Sequence, residues 1–257
     1  MVSKKMEKQV KFNKEKHTYK YGSQKLTPVT DVLKMFFGEV VSKDLARKVN
    51  KIPKSPYYKR GIKNILAEWK AKTEAGTLVH KQIEDYVTLG LTPKHPKALQ
   101  AKKFLETEIK TMGIFLLLPE QIVHNTDYAI AGTIDLIIVD YDNDCITLVD
   151  WKTNEKVRDI QYEPMKIPIE GLRNSTLCKF QMQLSIYAHL LRLNNHKIKS
   201  LKLVHLGEEN TNIYILPFLE DIARNMCETH KEMKKHENKY NEKRNGKTVS
   251  PKINNNS

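Results

Sequence analysis

Three charged side chains sit where a sheet core should be apolar. In AGTIDLIIVDYDNDCITLVDWKTNEK, residues 131–156, Asp135 directly precedes the apolar run Leu136–Val139. Asp150 and Lys152 directly follow the run Ile146–Val149. Both runs are rich in β-branched residues and DYDND between them has turn composition, so the stretch predicts a hairpin. Asp135 and Asp150 are equidistant from the centre of that turn, which makes them cross-strand neighbours. Two carboxylates so placed repel one another unless a cation lies between them. Hard divalent ions such as Mg²⁺ or Mn²⁺ favour carboxylate and backbone oxygens. Residues 150 and 152 share one strand face, so the Lys152 ammonium lies beside the carboxylates. There it can orient a water and offset charge building on a phosphate. Trp151 points away, but its backbone carbonyl stays near the metal position. An isolated Asp-x-Lys is most simply a surface salt bridge. With the correctly spaced upstream Asp135, the set points to metal-assisted hydrolysis of a phosphodiester.

Several elements must position these groups. KFNKEKHTYKYGS alternates as a short strand or hairpin does, and LTPVTDVLKMFF predicts a helix from Asp31 with Thr30 as its N-cap. Apolar spacing predicts helix over about 57–88, with a break at Gly76. A further amphipathic helix is closed by Gly113. The period then changes to short β-branched runs, PEQIVHN, AIAGTIDLIIVD and CITLVDWKT. Residues 154–177 form a long irregular connection. The apolar helix CKFQMQLSIYAHLLRLN, the strands KSLKLVHLG and NIYILP, and a charged helix follow. Residues 245–257 have the composition of a disordered tail. This order gives an α/β fold, a mixed sheet flanked by helices, with a mainly helical part over 1–113 and a core over 114–244.

With 257 residues, no disulfide or metal is needed to hold a core together. The net charge of +14 points to a polyanionic partner, most often nucleic acid and sometimes an acidic membrane surface, or to a lysine-rich surface kept for solubility. Tyr57 and Tyr58 stand beside Lys59, Arg60 and Lys63, an interleaving that suits bases stacked over a basic groove. The three cysteines form no CxxC pair and no four-ligand set, which argues against zinc or iron–sulfur sites. No apolar run is long enough to span a membrane. The first residues carry no signal or transit pattern, so a cytoplasmic setting is expected.

GTID at 132–135 followed by VDWKT at 149–153 resembles the core of the PD-(D/E)XK nuclease superfamily. The chain is most similar to its RecB-like branch, including the mitochondrial genome maintenance exonuclease family. GTLVH at 76–80 resembles the branch's upstream Gly-x-x-x-His motif, Glu120 its acidic residue before GTID, and QLSIY at 183–187 its Gln-x-x-x-Tyr motif. Ile134 stands where the superfamily name has Pro. The resemblance implies a restriction-endonuclease-like core and a DNA exonuclease acting in replication, recombination or repair. A structure-specific endonuclease on the same core and a non-catalytic nucleic-acid-binding module are the alternatives. It implies that Asp135, Asp150, His80 and the Trp151 carbonyl hold Mg²⁺ or Mn²⁺, with Glu120 as a further ligand or water-holder. Lys152 would position or activate the water, and Gln183 and Tyr187 would contact substrate phosphate or the lysine. Tyr57, Lys59 and Arg60 are the candidate strand contacts, on DNA that is single-stranded or presents an end. Without the cysteine set of the cluster-bearing members, no iron–sulfur cluster is implied.

Overall fold

The computed structural model describes residues 10–246 except 14, 155–156, 158 and 160–163. Lys4, Lys5, Lys8 and Lys14, and the expected tail from 247 onward, lie outside the described residues. The alternating N-terminal segment forms an antiparallel meander, β1 (Val10–Asn13), β2 (Thr18–Tyr21) and β3 (Gln24–Pro28). Four helices follow, α1 (Val29–Phe37), α2 (Ser42–Val49), α3 (Ile62–Leu89) and α4 (Pro96–Ile109). A second antiparallel meander comprises β4 (Phe115–Asn125), β5 (Ile130–Asp140) and β6 (Cys145–Lys152). The crossover helix α5 (Thr176–Arg192) leads to β7 (Ile198–Leu206), which pairs parallel to β6. The antiparallel strand β8 (Thr211–Leu216) and α6 (Glu220–Gly246) complete the chain.

All eight strands belong to one mixed sheet, and helices cover both faces. On one face α1, α5 and α6 pack over Ile137, Ile146, Leu148 and Leu203. On the other, α3 and α4 pack over Leu136, Ile138, Val149, Trp151 and Val204. Each fully buried Leu or Ile contributes roughly 1.5–3 kcal/mol. Residues 184–191 of α5 are all buried. A helix enclosed on every side is apolar nearly all round, and the two polar residues in this stretch have partners: Ser185 Oγ accepts the Leu219 amide at 3.3 Å and His189 Nε2 lies 3.5 Å from Tyr128 Oη.

The feature that makes room for a site is a fork in the sheet. β4 runs along one edge of β5 from Asp140 to Ile130. The other edge is shared. β6 takes Leu136–Asp140, and β3 takes only Ile130 and Ala131. Between them residues 132–135, the GTID stretch, pair with no strand on that edge, and β6 diverges past Val149. The N-terminal meander thus belongs to the same sheet as the core strands.

Four sequence expectations are corrected. α4 ends at Ile109 with Lys110 as its C-cap, so Gly113 lies beyond the helix and does not close it. α6 runs to Gly246 and takes in the first two residues of the tail expected over 245–257. α1 begins at Val29, not Asp31, and Thr30 does not cap it. The preceding Pro28, extended at ψ 140°, ends β3 and offers no side-chain cap. Starting at Val29 turns Val29, Val32, Leu33 and Phe36 into the core. α3 begins at Ile62, after Gly61 at φ +82°, and runs 28 residues without a break at Gly76. A Cβ at residue 76 would lie 2.8 Å from Thr153 Oγ1. The glycine is there so that α3 can approach the end of β6, a benefit that outweighs its helix cost of about 1 kcal/mol.

Candidate metal centre

Register aligns the acidic residues. Leu136 pairs with Val149 across β5 and β6, and Pro119 and Gln121 of β4 flank the position opposite Asp135. One step from these pairs, Glu120, Asp135 and Asp150 form a row across three neighbouring strands. Glu120 has φ +51°, between two residues that keep their pairing with β5. A non-glycine residue in that left-handed conformation costs roughly 1–3 kcal/mol, and such strain persists where its surroundings enforce it.

α3 brings the fourth group. His80 Nδ1 lies 3.6 Å from Asp135 Oδ2. One ligand atom each from His80, Glu120 and Asp135 fall within 4.8 Å of one another. A single cation can bridge that span, since metal–ligand distances are about 2.0–2.6 Å. Asp135 Oδ2 also accepts the Trp151 backbone N–H at 2.8 Å, which fixes the carboxylate against β6. The Trp151 indole points to the other face, edge-on to Phe104 at 5.6 Å.

Asp150 follows Asp135 in the row but is not in the group within 4.8 Å, which brings in Glu120 instead. It is buried, and its Oδ2 is 2.6 Å from Lys152 Nζ and carries no hydrogen bond beyond that ion pair. Burial pushes the Asp150 carboxyl up from its ordinary range. Lys152 opposes the shift, and the Asp135 charge reinforces it. For Lys152, burial alone would lower the ammonium, but Asp150 and Asp135 outweigh it and hold it raised. The ammonium also sits 4.4 Å from the centre of the Phe180 ring. Lys152 is therefore a fixed cation. The donor set of oxygens with one imidazole, and a buried carboxylate oxygen lacking a second partner, fit a hard divalent ion.

The α5 motif closes the floor. Gln183 Nε2 donates to Tyr187 Oη at 3.2 Å, and burial raises the Tyr187 phenol. A Cβ at Gly132 would lie 2.4 Å from Tyr187 Cε1. The GTID glycine and the QLSIY tyrosine are two halves of one contact. Gln181 turns away to the Pro217 carbonyl.

A cleft of ≈ 1680 Å³ opens over Glu120 and Asp135, lined also by His80, Gln183, Tyr187 and Tyr57, while the buried Asp150 and its partner Lys152 lie behind its lining. Tyr57 packs edge-on to Trp69 at its wall. Arg60 lies outside the lining, paired with Glu68 at 2.9 Å, and Lys59 lies over Tyr58. Glu84 pairs with Lys81 at 3.1 Å. Sequence reading missed Tyr19, whose Oη is 2.9 Å from Thr133 Oγ1 on the open edge of β5. A tyrosine in a lysine-rich hairpin carries no signal of that contact. A second, smaller cavity of ≈ 480 Å³ lies at the far end of the sheet around Leu116, Ile122 and Tyr141.

No family model and no curated relative matches the chain. Among solved structures, one similar chain is described as "Putative exonuclease" from Eubacterium rectale. It has 14% identity and a TM-score of 0.39, covering 85% of this chain and 83% of that one. Another is a protein named SSO0001, with 17% identity and a TM-score of 0.36, covering 80% of this chain and 75% of that one. At these scores the architecture rests on the pairing described above.

Proposed function

We propose that the protein is a divalent-metal-dependent nuclease that hydrolyses DNA phosphodiester bonds, an exonuclease of the RecB-like PD-(D/E)XK kind acting on strand ends. The observation that carries the reading is the row Glu120, Asp135, Asp150 across three strands, met by His80 from α3 and flanked by Lys152. His80, Asp135, Asp150 and the Trp151 carbonyl would hold Mg²⁺ or Mn²⁺, with Glu120 as ligand or water-holder. When bound, the metal supplies Lewis-acid polarisation of the phosphate and a water of lowered pKa.

The chain's own groups do the rest. Lys152, kept as an ammonium, donates a hydrogen bond and balances negative charge at the scissile phosphate, which suits orienting a water better than abstracting its proton. Asp135, pinned by the Trp151 amide, keeps its orientation as charge builds. Gln183 and Tyr187 present polar groups beside the row for a phosphate oxygen. The helices of the 1–113 part that follow Tyr57 act as a cover over the site of the 114–244 core, with Tyr57 as a stacking wall.

The test is a time course on end-labelled single- and double-stranded DNA with Mg²⁺, Mn²⁺ or EDTA. Metal-dependent shortening from ends, abolished by EDTA and in both Asp150→Ala and Lys152→Ala, is expected. Full activity in either purified variant would sink the mechanism. Cutting of covalently closed circles would make the enzyme an endonuclease, and binding without cleavage over a wide metal range would make it a binding module.

A further inference from the structure

Lys97 is in a locally unfavourable place. It is the second residue of α4, a helix with no acidic residue in its first turn, so its charge opposes the positive end of the helix dipole. Its side chain is only 12% exposed, where a surface lysine would reach water. A residue that breaks a local rule this way calls for a compensating contact elsewhere. The Lys97 ammonium donates to the Thr153 carbonyl at 2.9 Å and pairs with the exposed Glu208 at 2.8 Å.

Thr153 directly follows Lys152, and the next carbonyl is held as well. His205 of β7, buried and in register with Lys152, places Nε2 2.6 Å from the Asn154 carbonyl and donates to it. From a third side Gly76 lets α3 lie against Thr153. Helices α3 and α4 are themselves joined, because Gln82 Oε1 accepts both the Lys94 and His95 amides at 2.8 Å. The Lys97–Thr153 bond therefore ties the helix pair that carries His80 to the strand end that carries Asp150 and Lys152.

We infer that Lys97 is a positioning residue for the proposed cleavage, seconded by His205. It sets how α3 docks on the end of β6, and hence the distance from His80 to the carboxylate row and the aim of Lys152. It acts through the Thr153 carbonyl and need not touch substrate. A donor at that point is required, while the ammonium itself is not, so arginine should serve where methionine fails.

The inference rests on the nuclease reading, and two readouts keep them apart. The first compares wild type, Lys97→Met and Lys97→Arg in cleavage of end-labelled DNA, with Mn²⁺ and DNA saturating. Lys97→Met should lose about tenfold or more in kcat, since misplacement near 1 Å costs up to ~100-fold, with KM for DNA little changed. Lys97→Arg should recover most of the loss, and thermal unfolding should show Lys97→Met still folded. The second readout is hydrogen exchange in the metal-free protein, where amides of 150–154 should exchange faster in Lys97→Met than in wild type or Lys97→Arg. An inactive wild type defeats the nuclease reading, and the exchange result then still decides the clamp. Unchanged kcat in Lys97→Met, a rise in KM alone, or unaltered exchange at 150–154 would overturn the positioning role.

Discussion

Lys152 and Asp150 keep each other charged in a place that neither could occupy alone. Burial acts against both ions, yet the lysine is held raised because Asp150 and Asp135 are close. The Asp150 carboxyl remains above its ordinary range because burial and Asp135 outweigh the ammonium. The sign of the linkage follows. Folded Asp150 binds its proton more tightly than the unfolded chain does. Its contribution to stability is thus complete below the ordinary carboxylate range and is lost as pH rises through its folded value. Removing the ammonium strengthens this dependence. Lys152→Met in EDTA should be destabilised far more at pH 8 than at pH 5, by roughly 3–5 kcal/mol at the higher pH, as for a buried charge that loses its partner. Adding Asp150→Asn should remove most of that pH difference. Urea unfolding at both pH values checks this, and an equal loss at the two would show that Asp150 is not the group responsible. The ion pair was legible in the sequence as Asp-x-Lys on one strand face. Its burial was not, because the apolar cover comes from α5, remote in the chain.

At the scale of elements, the two motif glycines are where helices meet the forked sheet. Gly76 brings α3 onto the end of β6, and Gly132 lets the Tyr187 ring of α5 lie on β5. The hairpin, the crossover helix and the strand register of β5 and β6 could be read from hydrophobic period and turn composition. The fork could not, because it depends on β3 pairing with only Ile130 and Ala131 more than a hundred residues downstream. Nor could the role of Gly76, which reads locally as a helix breaker. The Gly132 contact makes a prediction that separates packing from chemistry. Tyr187 is almost wholly buried, so its ring cannot swing aside to admit a methyl group. Gly132→Ala should cost about 1–3 kcal/mol through overpacking. In a Tyr187→Leu background the same change should cost much less, because the clashing ring is gone, and chemical denaturation of the four proteins gives the coupling. Equal costs in both backgrounds would mean that the glycine serves the backbone of β5 and not the tyrosine.

Over the whole molecule, charge is concentrated where the site opens. Residues 42–63 hold eight lysines and arginines against the single Asp44, a net +7 of the molecule's +14. The eight basic residues are exposed, and Leu45, Pro56 and Tyr57 of the same segment line the cleft. The total charge was legible in composition, but of this segment only Lys59, Arg60 and Lys63, beside the two tyrosines, stand out in the sequence. Its place at the cleft mouth was not legible, since that follows from how α2 and α3 pack. A polyanion bound there displaces counterions, so affinity must fall as salt rises. For single strands each phosphate contact contributes roughly −0.7 to the slope of log K against log salt. Replacing Lys43, Lys51, Lys54 and Lys63 by Gln should therefore make that slope shallower by up to about 3, if each contacts one phosphate. Turnover at saturating DNA should be unchanged, because none of the four reaches the carboxylate row. Binding to labelled single-stranded DNA in EDTA, over a range of salt, measures the slope without cleavage. The same slope in the variant and the wild type would move the DNA path off this segment and leave its charge to solubility.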